Sequence, residues 1–307
     1  FYTLKRKLCD NYKTKTMSTE EVFVPLDSVF DWGKVVVEEP DTFTKGNFTV
    51  EWTTSKVYFL GENGEKHPNF FELAKQNLWV VNGIWPFGCP QEDQNLYNID
   101  GFQIYYPLPS VEKPTPAVIA TRHTFNMMWE TTVDAMKKFC EMSKEDRKVP
   151  SPTYSAYMTC KDDVGEISHQ DWKYAVRPIY EHQKSKREDG KKFIDPTKPL
   201  IAYIKLDTNG KGKNIKCYSK IFGPGEKKLS PFSCMNVHGT CHPVVHWESI
   251  YWGAQGQASY GASVRLRVGE MNFTPCLVER SVSTRRMLPP VQDDDDDELT
   301  FGKTVIL

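Results

Sequence analysis

Paired cations occur in three segments of the sequence that are rich in aromatic residues. The pairs are Lys173 with Arg177, Lys216 with Lys220, and Arg265 with Arg267. Residues two or four positions apart fall on one face of a β-strand, so each pair forms a basic patch where its segment is extended. Aromatic side chains lie between and beside the cations, at Trp172, Tyr174, Tyr218, Phe222, Tyr260 and Phe273. Cations that contact phosphates, next to rings that stack on bases, are what sequence-tolerant binding of single-stranded nucleic acid requires.

The same pattern has a simpler interpretation. Long cationic side chains also solvate the outer face of a sheet, with no ligand involved. The spacing alone does not choose nucleic-acid binding over this interpretation, so both hypotheses stand at this point.

A segment rich in histidine and cysteine, residues 233–247, is the strongest local candidate for a metal site. Its possible ligands, which a tetrahedral Zn²⁺ ion could use, are Cys234, His238, Cys241, His242 and His246. The spacing fits no familiar zinc finger, because it lacks two separated ligand pairs flanking a structured segment. We therefore expect a loop with incidental histidines and no bound metal. The alternative is a metal-dependent enzyme centred on this segment.

Other patterns that could carry chemistry are weaker. The acidic run at 293–298 lacks the glycine and the spaced ligands of a calcium loop, so a solvated loop or a contact with a basic neighbour is expected there. The sequence has no phosphate-binding glycine loop, nucleophile elbow, zincin motif or redox C-x-x-C. We therefore predict no catalytic residues, no cofactor and no enzymatic activity. A second hypothesis is a β-sandwich that binds a glycan or receptor through the loop at 82–90, which contains Trp85 and Phe87.

The elements that must present these side chains are mostly short strands. Segments rich in β-branched and aromatic residues alternate with turns rich in Gly, Asn, Asp and Pro, which is typical of a sandwich or barrel with long loops. The predicted strands are 1–9, 47–60, 101–108, 117–132, 153–160, 171–180, 199–207, 214–223 and 263–273. The spacing of apolar residues and good helix formers predict short helices at 68–78 and 131–147.

The best-patterned strand is 263–273, which alternates apolar and basic residues up to position 268. This alternation predicts one buried face and one face that meets water or a partner. Beyond Gly269 the apolar residues change register, because Met271 and Phe273 have the opposite parity. A β-bulge at Gly269 would reconcile the two halves, since glycine tolerates the required backbone angles.

The composition predicts a folded protein without membrane insertion. Of the 307 residues, 39% are hydrophobic and 13% aromatic, and the net charge is -1. Apart from the acidic run the chain is mildly basic, which permits contact with nucleic acid or anionic glycans. The eight cysteines are scattered over the chain, so free thiols are expected rather than disulfides. No apolar stretch reaches the length of about eighteen residues that a membrane span needs.

Three stretches, at the start, in the middle and near the end of the sequence, resemble a family of viral proteins. The stretches are "FYTLKRK", "ATRHTFNMMWETT" and "HWESIYWGAQGQASYGASVRLRVGEMNF". They are similar to the capsid proteins of small circular single-stranded DNA viruses, the circovirus-like group. The last barrel strand of that family alternates apolar and basic residues, as residues 263–273 do here.

This resemblance implies an all-β fold, a single jelly roll of two facing antiparallel sheets with long loops and one or two short helices. Identical subunits would assemble into an icosahedral shell around a single-stranded DNA genome. Lys5, Arg6 and Lys7 would face the interior and contact the DNA, and a host glycan or receptor would bind the outer surface. The protein would then reside in the virion, with the host nucleus as a compartment for assembly.

The domain organisation implied is simple. One domain would span 1–307, with loop insertions near 61–100, 131–152 and 181–198, and with an acidic tail at 287–307.

Overall fold

The fold is described from a computed structural model. It covers residues 21–45, 48–78, 84–88, 99–109, 114–142, 175–190, 192–235, 237–253 and 260–276. All of these residues belong to one compact unit, Phe1–Cys276. A second unit, Leu277–Leu307, contains the acidic run and lies outside the described residues.

Strands dominate the described ranges, as the sequence predicts. They are β1 (Val22–Val24), β2 (Val35–Val37), β3 (Asp41–Lys45), β4 (Phe48–Leu60), β5 (Lys66–His67), β6 (Asn69–Glu72), β7 (Gln76–Asn77), β8 (Ile84–Phe87), β9 (Gly101–Leu108), β10 (Val176–Arg177), β11 (Tyr180–His182), β12 (Lys184–Lys186), β13 (Lys192–Ile194), β14 (Leu200–Leu206), β15 (Thr208–Asn209), β16 (Lys216–Cys217), β17 (Lys220–Phe222), β18 (Gly239–Trp252) and β19 (Ala262–Pro275). The helical elements are the long helix α1 (Pro116–Cys140) and short 3-10 helices at Trp32–Lys34, Gly212–Asn214, Pro224–Glu226 and Pro231–Cys234. None of the described helices is long and apolar enough to cross a membrane.

The antiparallel pair β18 and β19 forms the centre of a large mixed sheet. The outer edge of β18 pairs in turn with β7, β6 and β4, and the outer edge of β19 pairs with β17, β14 and β10. Beyond β14 lie β9 and β8, and beyond β6 lies β1. Fifteen of the described strands are joined in this way, and no described pairing links β8 back to β1. The sheet is therefore open over the part of the chain that the structure describes.

A β-bulge lies at Gly269, as predicted. On one side of the irregularity Val244 pairs with Glu270. On the other side Val245 pairs with Val268, which leaves Gly269 as the extra residue of β19. The bulge moves Met271 to the same buried face as Val268, so the change of register in the sequence is accommodated without exposing apolar side chains.

A second bulge, on β18, was not predicted. Trp247 pairs with Leu266 and Ser249 pairs with Arg265, so Glu248 is the extra residue. Glu248 is thereby turned towards β19, where it accepts a hydrogen bond from Nε of Arg267.

Helix α1 replaces two elements that were predicted separately. The strand predicted at 117–132 is wrong, and the helix predicted at 131–147 is the second half of one helix of 25 residues. Thr115 caps the helix by accepting a hydrogen bond from the backbone N–H of Val118, and Pro116 occupies its first turn. The helical period is visible in its buried residues, which are Val118, Thr121, Phe125, Met128, Thr132, Val133, Ala135, Met136, Phe139 and Cys140. The expected one or two short helices are thus one long helix whose apolar side belongs to the core.

The buried face of α1 packs against one face of the sheet. Phe125 lies edge-on to Tyr106 of β9, and Phe139 lies edge-on to Trp252 of β18. Thr121 accepts a hydrogen bond of 2.9 Å from the backbone N–H of Ala74, which ties the helix to the segment between β6 and β7. In β9 and β14 the even-numbered residues therefore face the core, and the alternating odd-numbered residues face away from α1.

The short helix predicted at 68–78 is also wrong. This segment forms β6 and β7, which pair with β18. Burial alternates along β6, with Asn69 and Phe71 buried and their neighbours partly exposed. Pairing with the central strand has overridden the helix propensity of the segment.

The ranges predicted as loop insertions contain regular structure where they are described. Strands β5 to β8 fall within 61–100, and the hairpin of β12 and β13 falls within 181–198. The residues from 131 to 140 belong to α1.

Candidate nucleic-acid interface

The sheet face that points away from α1 carries a groove of about 760 Å³, which we call the basic groove. Strands β9, β14, β18 and β19 form its floor, and the segment from Arg177 to Lys184 forms one wall. The cations among its described lining residues are Arg177, Lys184, Lys205, Arg265 and Arg267. Their carboxylate counterpart in the lining is Glu181.

Strand register brings these cations together. Lys205 of β14 pairs with Arg267 of β19, and Gln103 of β9 pairs with Lys205. Residues paired across neighbouring strands lie on the same face with Cβ atoms roughly 5 Å apart. Two cations from distant parts of the sequence are therefore neighbours at the centre of the groove.

Some of these cations are already neutralised within the chain. Arg267 donates from Nε to Glu248 at 3.1 Å, and Arg177 donates to Glu181 at 3.2 Å. The ammonium of Lys184 lies 3.8 Å from the same Glu181 carboxylate, whose side chain is only 9% exposed. The Arg267 pair is more accessible, and ion pairs at such sites contribute about 0–1 kcal/mol, so a phosphate can compete with Glu248 for Arg267.

Lys205 and Arg265 differ from the other cations because neither forms an ion pair among the described residues. The guanidinium of Arg265 lies over the ring of Tyr251, 4.5 Å from its centroid. The ammonium of Lys205 lies 4.6 Å from the ring centroid of Phe87. Desolvation lowers the pKa of both groups, and for Lys205 the nearby Arg267 and Arg265 lower the pKa further. The carboxylate of Glu248 opposes the shift at both groups, and Asp100 also opposes it at Lys205. Such a cluster of like charges is relieved when an anion binds.

A row of aromatic rings begins at Tyr203, which lines the groove beside these cations, and continues beyond the groove lining. Tyr203 of β14 and Tyr105 of β9 lie edge-on at 5.1 Å between ring centroids, and Trp85 of β8 lies 6.3 Å from Tyr105. All three side chains are half-buried, and desolvation raises the pKa of both tyrosines. The groove thus presents the rings of Tyr203 and Tyr251 next to two cations that form no ion pair among the described residues, and this combination suits a strand with unstacked bases.

The predicted nucleic-acid-binding residues divide into three groups. Arg177, Arg265 and Arg267 meet in the basic groove, as their patterns suggested. Lys220 lines a neighbouring groove, whereas Lys216 is exposed on β16 and lines neither groove. The remaining predicted residues, Lys5, Arg6, Lys7 and Lys173, lie outside the described residues.

Sequence reasoning missed several residues of the groove. Lys205 and Tyr203 alternate with buried residues in the segment predicted as a strand at 199–207, so their shared outer face was readable. Unlike the three segments with paired cations, this strand carries a single lysine beside a tyrosine on that face, so it lacks the pattern that marked the other segments. Of the rings noted beside the cation pairs, Phe273 is buried in the core, on the other side of the sheet.

The segment at 233–247 is not the loop that was predicted. From Gly239 onward it is strand β18, so Cys241 and His242 point to opposite faces. His242 lies 2.9 Å from Glu72, and His246 stacks on Phe70. Cys241 is fully buried, and desolvation raises the pKa of its thiol well above the ordinary value.

Within the described ranges, no group of three or more His, Cys, Asp or Glu side chains is arranged to hold a metal ion. The described cysteines, Cys140, Cys217, Cys234, Cys241 and Cys276, all have free thiols.

Comparison with known proteins does not place the chain in a family. No protein-family model matches it, and no curated protein matches it.

Proposed function

We propose that the basic groove binds single-stranded nucleic acid. The observation that carries this proposal is the position of Lys205 and Arg265, two neighbouring cations without a carboxylate partner among the described residues. Cations placed together in partly desolvated surroundings are unfavourable unless an anion joins them. A phosphodiester supplies that anion.

The rings favour a single strand over a free anion or a duplex. Tyr203 and Tyr251 line the groove together with the cations, so a bound phosphate would bring its neighbouring bases close to these rings. The bases of a duplex are already stacked on one another, whereas those of a single strand are free to stack on aromatic side chains. Stacking of this kind contributes roughly 1–3 kcal/mol per base.

We further propose that the protein is a capsid subunit that assembles with identical copies and packages single-stranded DNA. This rests on the family resemblance of the chain together with the basic groove. In this proposal the strands belong to a jelly roll with two facing layers. The changes of partner along β18 and β19 at their bulges support it, since strands that pass from one layer to another do so at bulges or bends.

The groove proposal is tested by measuring the affinity of the protein for a labelled oligo(dT) by fluorescence anisotropy at several salt concentrations. The double variant K205A/R265A is expected to weaken binding about tenfold for each cation removed, because a charged hydrogen bond contributes roughly 1.5–3 kcal/mol. The slope of log K against log salt is expected to fall by about 0.7 for each lost phosphate contact.

The matched control is K216A, which removes an exposed lysine that lines neither groove and is expected to bind like the wild type. Equal losses in K216A and in the double variant would contradict the proposal. If a sulfated glycan bound through Lys205 and Arg265 while oligo(dT) did not, the hypothesis of a glycan-binding module would take its place.

A further inference from the structure

A second groove of about 570 Å³ adjoins the basic groove and shares Arg267 with it. Its rings come from Phe23, Phe70, Tyr218 and His246, and we call it the ring-lined groove. Phe23 is 37% exposed and Tyr218 is 49% exposed, so both rings are accessible to a ligand.

Strand register makes the two grooves continuous. His246 of β18 pairs with Arg267, Phe70 of β6 pairs with His246, and Phe23 of β1 pairs with Phe70. Because directly paired residues share a face, this row extends the line that begins at Lys205. The row crosses five strands, a span of about 19 Å at the usual strand separation, so one strand of nucleic acid can contact both grooves.

The two grooves differ in charge. The carboxylates that line the ring-lined groove are Glu21, Asp207, Glu248 and Glu270, against the cations Lys220 and Arg267. A phosphate is therefore repelled from this groove and attracted to the basic groove beside it. The uncharged part of a nucleotide, its base, has no such penalty.

The rings offer a stacking surface for that base. Phe70 and His246 are stacked with 4.9 Å between centroids and 19° between planes. Burial lowers the pKa of His246, so its imidazole is neutral at pH 7 and adds no charge that would attract a phosphate.

We infer that the ring-lined groove receives the bases of the bound strand and prefers bases that carry an exocyclic amino group. This inference rests on the proposed function of the basic groove. A carboxylate accepts hydrogen bonds and donates none, so it pairs with the amino group of cytosine or adenine. At the position where cytosine carries its amino group, thymine and uracil carry a carbonyl. The oxygen of that carbonyl would face a carboxylate oxygen with no proton between them.

The test compares a labelled oligo(dC) with an oligo(dT) of the same length, two pyrimidines of nearly equal size. Wild-type protein is expected to bind oligo(dC) about fivefold or more tightly, since a good pairing of a side chain with a base discriminates by roughly 1–3 kcal/mol. The variants D207N and E270Q are expected to reduce this ratio, because an amide can donate to a carbonyl. The matched control E62Q changes an exposed carboxylate outside both grooves and should leave the ratio unchanged.

The outcomes separate this inference from the proposed function. Equal binding of oligo(dC) and oligo(dT) by the wild type would overturn the inference and leave the basic groove intact, and so would a preference that persists in both variants. Binding of neither oligonucleotide would overturn the proposed function itself. The variant K205A/R265A should weaken binding of both oligonucleotides by the same factor. A changed ratio of the two affinities in that variant would contradict the inference that the basic groove binds phosphates and the ring-lined groove binds bases.

Discussion

At the scale of single residues, ion pairs hold the charged side chains in the wall of the groove, whereas a ring contact holds Arg265 on its floor. Glu181 lies between Arg177 and Lys184, and this sharing fixes the wall of the groove. Removing one partner of such a pair would leave an uncompensated, partly buried charge. We therefore interpret Arg177, Glu181 and Lys184 as residues that stabilise the wall rather than as ligand contacts. Arg265 rests on Tyr251 instead, and a cation held by a ring keeps its hydrogen-bond donors available for a ligand.

His246 gives the protein a pH dependence whose sign can be derived. Burial lowers its pKa below the ordinary value of 6.5, with Arg267 acting in the same direction and the carboxylates of Glu248 and Asp207 opposing it. The unfolded chain therefore takes up the proton at a higher pH than the folded protein does. This contribution to stability is present above about pH 6.5 and is lost as the pH falls through the folded-state pKa.

Urea denaturation at a series of pH values between about 7.5 and 5.5 measures this effect. The free energy of unfolding is expected to fall towards the acidic end. H246F is expected to reduce that fall because phenylalanine binds no proton, while its ring can still stack on Phe70. The control H123Q changes an exposed histidine of α1. An unchanged pH slope in H246F would show that His246 is not the group responsible.

At the scale of elements, α1 determines which sheet face is left for a ligand. Its buried side chains cover the face that carries Tyr106 and Trp252, so the alternate residues of the same strands remain accessible. Helix α1 therefore determines that the basic groove lies on the opposite face of the sheet.

Replacing a buried residue of α1 tests this packing. F125A removes a side chain with no exposed surface and is expected to lower the free energy of unfolding by about 3–5 kcal/mol. I119A, on the same helix at a position that is 53% exposed, is expected to change it by less than about 0.5 kcal/mol. Both values follow from urea denaturation monitored by circular dichroism, and similar losses in the two variants would contradict the assigned face of the helix.

The sequence predicted local patterns better than long-range pairings. The alternation around Arg265 and the bulge at Gly269 depend on side chains a few residues apart, and both are confirmed. The first half of helix α1 was predicted as a strand because its β-branched and aromatic residues have strand propensity, whereas the spacing of apolar residues indicated a helix only from residue 131 onward. The position of Lys205 beside Arg267 depends on the pairing of β14 with β19, and no local pattern specifies that register.

At the scale of the whole molecule, the proposed packaging of DNA requires one orientation of the subunit in the shell. A subunit that packages DNA must turn its basic groove towards the interior of the shell, where the polyanion lies. The same groove buried between subunits, or turned outward, would leave the unpaired cations Lys205 and Arg265 without the ligand proposed for them.

The most direct measurement is a cryo-electron microscopy reconstruction of the purified protein assembled in the presence of single-stranded DNA. The account predicts closed shells of identical subunits, each a two-layered jelly roll, with nucleic-acid density against Arg265, Lys205 and Tyr203 on the inner surface. Protein that stays monomeric with DNA present, or shells in which these three side chains face outward with the groove empty, would contradict it.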